Sequence, residues 1–364
     1  MAIDPDLDRF DYFLPPALIA QRPALERDGA RLLVVNREDG SLWDRRVRDL
    51  GSVLRQDDLL IVNATRVLPA RLRGWKQSGG SAGALILGPC GASAAPGGGG
   101  AGEVEAARSD PLHYRALVRS RGRLRVGQKY RFGPASESLD AEIIDLLPNG
   151  EVVLAFSGGA TPYDVGETPL PPYIHRERSD PFDEERYQTT YARVPGSVAA
   201  PTAGLHLSAE LLADLRRRGI GICEVVLHIG AGTFRPVRPE NLRTGRLHPE
   251  AFEIDAAAAQ RIAQTRERGG RIVAVGTTSA RVLETCARDD GSVRAASGTT
   301  DLFLRPGARF RTTDALLTNF HLPRSSLLML VAAFAGSGRV RDAYAHAVRS
   351  SYRFYSYGDA MLVL

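Results

Sequence analysis

The chain has 364 residues, 43% of them hydrophobic and 24% charged, which suits about two globular domains and excludes a fibrous or disordered class. A net charge of +5 leans toward a polyanionic partner, but Lys76 and Lys129 are the only lysines; Arg-rich coding explains most of the excess, so the placement of the arginines says more than their sum. Three distant cysteines, Cys90, Cys223 and Cys286, argue against a disulfide frame and a thiolate zinc site and predict a reduced, cytoplasmic protein.

Met1 to Arg9 alternates acidic and apolar residues and reads as no signal peptide. Residues 10 to 70 read as an opening α/β segment with strands Arg31 to Val35 and Asp58 to Asn63, the second ending in a polar turn, Asn63 to Arg66. From 71 to 165 the texture changes. Residues 77–102 are rich in Gly, Ala and Ser and predict a flexible loop. Strands His113 to Val118, Gln128 to Phe132, Ala141 to Leu147 and Glu151 to Phe156 follow, with Asn149-Gly150 as a hairpin turn between the last two. Within this region Arg119, Arg121, Arg123 and Arg125 alternate; an extended backbone puts them on one strand face, a stripe that phosphates favour, although a solvated basic loop has the same composition and Gly122 interrupts the run.

The α/β pattern resumes at 166. Ser208 caps a helix that ends near Gly219, strand Ile222 to Ile229 follows, and Asp255 caps the helix Ala256 to Arg268. Strand Arg271 to Val275 leads through Gly276-Thr277-Thr278-Ser279 into the helix Ala280 to Ala287. Helices at Ser325 to Ala335 and Val340 to Ser350 precede a final strand, Ala360 to Leu364. The apolar run Leu327 to Ala335 is too short to cross a bilayer, so no membrane association is expected.

Three loops carry candidate chemistry. Leu227 to Val237 brings a strand into His228, Gly230, Gly232, Thr233 and Phe234; the glycines permit close approach of a ligand to the backbone, and an ordinary tight turn beside a core histidine has the same signature. Gly276 to Ser279 offers hydroxyls and free N–H groups at a helix start, equally readable as a capped helix. Pro195 to His206 is a long loop of small residues with His206 at its exit, and Leu317 to Ser325 places Asn319 and His321 ahead of a helix. No HxxxH or HExxH spacing occurs, so no metal site is expected.

Taken together, these loops resemble one family, the S-adenosylmethionine:tRNA ribosyltransferase-isomerases of queuosine synthesis. The resemblance is carried by Phe10-Asp11-Tyr12, Leu18 to Gln21, Val67 to Leu72, Pro169 to Ile174 and Arg186 to Thr189. The Pro195 to His206 loop, Leu227 to Val237, Gly276 to Arg281, Asp314 to Pro323 and Tyr355 to Met361 complete it, and it covers nearly all of the chain outside 77–113. Ala64, Leu207, Ala231 and Ala280 depart from the family's usual residues inside otherwise intact motifs.

The resemblance implies transfer of the ribosyl part of S-adenosylmethionine to 7-aminomethyl-7-deazaguanine at the wobble position of a tRNA with a GUN-type anticodon. The sugar is isomerised, giving epoxyqueuosine with release of adenine and methionine. S-adenosylmethionine is then a co-substrate, no tightly bound cofactor is needed, and the protein is a monomer. The fold expected is α/β: a large mixed domain (1–70 plus 166–364) with a barrel-like sheet and helices, and an inserted small antiparallel β-barrel (71–165). Gly230, Gly232, Thr233, Phe234, Gly276, Thr277, Thr278 and Ser279 are expected to bind S-adenosylmethionine, His228, His206 or His321 to be the base, and Asn319, Arg66, Arg119, Arg121, Arg123 and Arg125 to meet the nucleobase or tRNA. A methyltransferase, which releases S-adenosylhomocysteine and not adenine, is the enzymatic alternative; a non-catalytic RNA-binding module leaves the polar Gly/Thr/His loops unexplained.

Overall fold

The structure is a computed structural model that describes residues 5–90, 112–177, 179–234 and 237–364. Its centre is a run of short, continuously apolar segments: β1 (Arg31–Val35), β3 (Leu59–Asn63), β14 (Ile272–Val275), β16 (Ala315–Asn319) and β17 (Ala360–Val363). Segments without alternation suit strands covered on both faces. β2 (Leu42–Arg46), β12 (Gly221–Leu227), β13 (Arg246–Ile254) and β15 (Ala296–Leu302) extend them into a nine-stranded sheet of order β15-β13-β12-β3-β14-β16-β17-β1-β2. The strands β12, β3, β14 and β16 run parallel. Leu33, Ile61 and Val225 pack under the helices Ala256–Glu267, Thr277–Cys286, Ser326–Ala335 and Ser337–Arg349. Leu32, Leu60 and Val273 face the helix Ala209–Arg217 on the other side.

The helix starts follow the sequence signals. Ser208, Asp255 and Ser325 each accept a hydrogen bond from the backbone N–H three residues on. The helix after β14 begins earlier than expected, at Thr277, so Thr277 to Ser279 form its first turn and Gly276, at φ +89°, is its N-cap.

Between β4 (Thr65–Val67) and β11 (Val194–Ser197), which pair in parallel, the chain builds a closed antiparallel barrel. Its order is β10-β7-β6-β5-β8-β9, from β5 (Arg71–Lys76), β6 (Ser81–Pro89), β7 (Leu112–Ser120), β8 (Lys129–Phe132), β9 (Leu139–Leu146) and β10 (Val152–Ser157). Alternate residues such as Tyr130, Phe132, Ile143, Leu154 and Phe156 fill it. Asn149 and Gly150 both have positive φ, as a two-residue hairpin turn requires.

The mixed sheet and the antiparallel barrel agree with the sequence reading; closure is confined to the small sheet, and the large one ends at β15 and β2. Two expectations are corrected. The loop assigned to 77–102 contains β6, whose Ala84 and Ile86 point into the barrel; small residues there suit tight strand packing, and 91–102 lie outside the described residues. The basic stripe is not one strand face: β7 ends at Ser120, and Gly122 at φ +89° turns the chain, so Arg119 sits on a strand while Arg121, Arg123 and Arg125 occupy the following loop.

The barrel closes tightly at Gly74, where a Cβ would stand 2.0 Å from the Arg131 carbonyl oxygen. Gly74→Ala is expected to destabilise the protein by about 1–3 kcal/mol through overpacking, read as a lowered midpoint of denaturant unfolding.

Candidate active site

The parallel strands end on one edge of the large sheet, and the four loops that leave them meet there. β3 ends at Asn63, β12 runs into Ile229, β14 into Gly276, and β16 ends at Asn319. Open α/β sheets bind ligands at this edge. Asn63 ties the strand ends together. It is fully buried, accepts from the Leu227 N–H (3.0 Å) and donates to the Leu227 carbonyl (2.9 Å) and to Thr278 Oγ1 (3.2 Å). A second set of buried hydroxyls continues it: Thr65 Oγ1 lies 2.7 Å from Ser197 Oγ and 2.8 Å from His228 Nδ1, and Ser197 Oγ accepts from the Ile229 N–H.

A cleft of about 300 Å³ opens beside these loops. Its walls are apolar and aromatic: Tyr173, Tyr187, Phe320 and Tyr355, with Pro172, Pro201 and Pro323. The Tyr173 and Tyr355 rings lie 4.6 Å apart, and the Tyr173 hydroxyl is 2.7 Å from Ser356 Oγ. Two ten-residue helices, Thr277–Cys286 and Ser326–Ala335, start at the cleft. The first has no side-chain cap, so its leading N–H groups are free to meet an anionic or polar group. Tyr355 and Arg324, both on the cleft wall, have φ of +72° and +55°, the left-handed region that strains residues other than glycine.

The three histidines differ. His206 and His321 are buried, and burial pushes their pKa down to about 4 and about 3. Asn319 Nδ2 is 3.0 Å from His206 Nε2 and donates to the Tyr355 carbonyl at 3.1 Å. A carbonyl has no proton to give, so the amide's NH2 must face this pair, and His206 Nε2 is an acceptor whose lone pair is committed. His321 Nε2 is held by Thr318 Oγ1 at 2.8 Å. His228 is half-buried and its pKa is lowered by burial; Thr65 holds Nδ1, and Nε2 has no partner among the described residues. Gly196, at φ +150°, makes room for it: a Cβ there would stand 2.7 Å from the imidazole.

Behind the cleft lies a buried ion pair, Arg281 Nη1 to Glu250, with the two residues 6% and 7% exposed. Glu250 Oε1 also accepts from the Gly230 N–H at 2.9 Å, and Arg281 donates to the Leu302 and Thr300 carbonyls. The pair joins the helix Thr277–Cys286 to the loop after β12 and to the antiparallel strands β13 and β15.

A sequence-family profile described as "Queuosine biosynthesis protein" matches residues 7–363. The S-adenosylmethionine:tRNA ribosyltransferase-isomerase of Moorella thermoacetica is 46% identical over 363 residues, covering 98% of this chain and 99% of that protein. The protein of the same name from Methylobacterium sp. is 48% identical over 373 residues, covering 98% of each. The chain belongs to this family. A crystal structure described as S-adenosylmethionine tRNA ribosyltransferase from Thermotoga maritima matches with a TM-score of 0.54 at 35% identity, over 98% of this chain and 100% of that one.

Within this family member, Gly276, Thr277, Thr278, Asn319 and His321 line the cleft, and His206 stands directly behind Asn319. Five expected residues sit elsewhere. His228 is not on the cleft wall, which the chain joins at the next residue, Ile229. Ser279 is fully buried and donates to the Val275 carbonyl, as a hydroxyl in a first helical turn readily does, so it is turned away from the cleft. The Gly230 N–H is spent on Glu250. Gly232 lines a smaller neighbouring cavity, packed against His248. Arg66 points outward from β4 between the buried Thr65 and Val67. The side chains of Thr233 and Phe234 lie outside the described residues. Among the described residues, no three His, Cys, Asp or Glu side chains group to hold a metal ion. Sequence reasoning missed the aromatic walls, the Asn63 tie and the Glu250–Arg281 pair; only Asn63, a polar residue ending an apolar strand, left a local signal.

The buried histidines couple stability to pH. Their folded pKa values lie below the unfolded value of 6.5, so between about pH 4 and 6.5 the unfolded chain binds more protons and stability falls as pH drops. Each fully buried histidine adds a slope of up to about 1.4 kcal/mol per pH unit in that window. Denaturant unfolding at a series of pH values should show this slope, and His321→Gln should reduce it by one proton. Glu250→Gln leaves Arg281 buried without its counter-charge and should cost about 3–5 kcal/mol in the same measurement.

Proposed function

We propose that this chain transfers the ribosyl moiety of S-adenosylmethionine to 7-aminomethyl-7-deazaguanine at the wobble position of a GUN-type tRNA and isomerises it, giving epoxyqueuosine-tRNA, adenine and methionine. The observation that supports this most is the cleft itself: in a member of this family, aromatic walls suited to a nucleobase adjoin a free helix N-terminus suited to the methionine carboxylate. The positive sulfonium acidifies the carbons next to it, and a neutral imidazole with a free nitrogen matches the base that step requires. Each of the three histidines has one nitrogen engaged by a neighbour and one without a partner among the described residues; we favour His228 because it is the most exposed of the three.

The tRNA is read as lying along the barrel. A groove lined by Arg71 and Arg119 of the barrel and by Pro169 to Pro172, Ile174 and Arg176 shares Pro172 with the cleft. Arg119, Arg121, Arg123 and Arg125 are exposed and make no ion pair among the described residues, whereas the neighbouring Lys129 and Arg131 are matched to Glu142 and Asp140. Unpaired arginines remain available to phosphates. We further read the protein as a cytoplasmic monomer; no helix among the described residues is long and apolar enough to cross a membrane.

Incubating the protein with S-adenosylmethionine and tRNA bearing the aminomethyl base tests this reading. Adenine and methionine should appear in step with a mass gain on the tRNA; S-adenosylhomocysteine in place of adenine would mark a methyltransferase. His228→Ala should bind S-adenosylmethionine and lose turnover by about 10²-fold or more. Wild-type turnover should fall on the acid side as His228 is protonated, below the ordinary value of 6.5 because burial lowers its pKa. Replacing Arg119, Arg121, Arg123 and Arg125 with Ser should weaken tRNA binding and flatten its log–log salt slope by about one unit per lost phosphate contact.

A further inference from the structure

Asn319 closes β16 at the cleft and is only 2% exposed. Its NH2 group is spent on His206 Nε2 and the Tyr355 carbonyl. The carbonyl fixes which way the amide faces, because only the nitrogen side can satisfy it. Tyr355 is held in the left-handed region, with its N–H bonded to the Phe320 carbonyl, so that carbonyl has little freedom to turn away. The other face of the amide, Oδ1, is buried with no hydrogen-bond partner. Several polar groups on the same wall are matched, Thr318 with His321, Tyr173 with Ser356 and Thr278 with Asn63, while the Tyr187 hydroxyl shares the lack of a partner with Asn319 Oδ1. A buried amide oxygen left without a donor is destabilising, and one kept at a ligand cleft is paired when the ligand arrives.

The walls around it select the ligand's shape. Tyr173, Phe320, Tyr355 and the prolines present flat apolar faces, which favour a planar ring, and an unpaired buried acceptor on the residue beside them favours an N–H on that ring's edge. We propose that Asn319 is a specificity-determining residue whose Oδ1 accepts a hydrogen bond from the amino edge of a planar nucleobase seated in the cleft, and that His206 is a positioning residue that holds the amide with its oxygen outward. His206 is suited to this task, since burial keeps it unprotonated and therefore able to accept. The inference rests on the functional reading above. Two sources of such an edge follow from that reading: the exocyclic amine of adenine in S-adenosylmethionine, and the amino group of the deazaguanine.

Calorimetric affinities for S-adenosylmethionine and its 6-oxo analogue, S-inosylmethionine, form one arm. The kcat/KM on tRNA carrying the aminomethyl deazaguanine, against the same tRNA whose base lacks the 2-amino group, forms the other. In one arm the wild-type protein should prefer the amino-bearing ligand by about tenfold or more, and that arm identifies the source. Asn319→Ala should bring the ratio close to one, chiefly by weakening the amino-bearing ligand. His206→Phe should lower the ratio too, and His206→Gln, which restores an acceptor, should recover it. Wild-type protein that turns over and shows no preference in either arm overturns the proposal without needing a variant, as does an Asn319→Ala protein that keeps the wild-type ratio. Wild-type protein that neither binds S-adenosylmethionine nor releases adenine overturns the functional reading and this inference with it.

Discussion

The buried Glu250–Arg281 pair is the interaction on which the site's shape rests. Two opposite charges out of water are tolerable only when the remaining donors and acceptors are filled, and here they are filled by backbone. Glu250 takes the Gly230 N–H; Arg281 gives to Leu302 and Thr300. One ion pair thus ties the helix Thr277–Cys286 to the loop after β12 and to the neighbouring strands β13 and β15. Hydrophobic packing alone would allow these three pieces to slide; directional bonds from a rigid guanidinium fork do not. The small cavity beside the pair and the larger cleft share Arg281, Ser326 and Leu327, so the pair also forms the partition between them.

Against that frame the histidines are sorted by their surroundings. The sequence offers three, each next to a Gly- or Pro-marked bend, and nothing local separates them. Enclosure does. His206 and His321 are buried, each with Nε2 held by a neighbour, Asn319 or Thr318. His228 is braced on one side only, by a hydroxyl network that reaches back through Ser197 to the β12 loop. Pre-organisation of this kind holds a ring without using up both of its nitrogens.

Much of the scaffold was legible because its signals are local. Caps at Ser208, Asp255 and Ser325 announce their helices by a bond to the third residue on, and Asn149-Gly150 announces its hairpin by needing positive φ. Of the central strands β1, β3, β14 and β17 showed as apolar runs, whereas the sequence reading misses β16 and places Leu317 to Asn319 in a loop. β6 is missed too, because Ala82, Gly83 and Ala84 look like a linker until six strands close around them. Thr65 to Val67 looked like a turn, and only its distant partner Val194 to Ser197 makes it a strand. The cleft was half legible for the same reason. Gly276, Thr277, Asn319 and His321 announce themselves as loop residues next to elements. Tyr173, Tyr355 and Glu250 gain meaning from neighbours up to hundreds of residues away, which no window of sequence contains.

The pairing of β4 with β11 has a consequence for how this chain can tolerate change. The two strands are the chain's way into the barrel and its way back, and they lie side by side as neighbours in one small ladder, Thr65 opposite Val194 and Arg66 opposite Pro195. To the large sheet, the whole barrel is therefore a loop whose ends are already joined, and the entropy of closing that loop changes only slowly with its length. Residues gained or lost inside the insertion leave the spacing of its two ends unchanged. The strand edge that carries Asn63, Gly276 and Asn319 is thereby insulated from variation in the barrel, and the segment free to lengthen or shorten is separated from the segment whose register must not move.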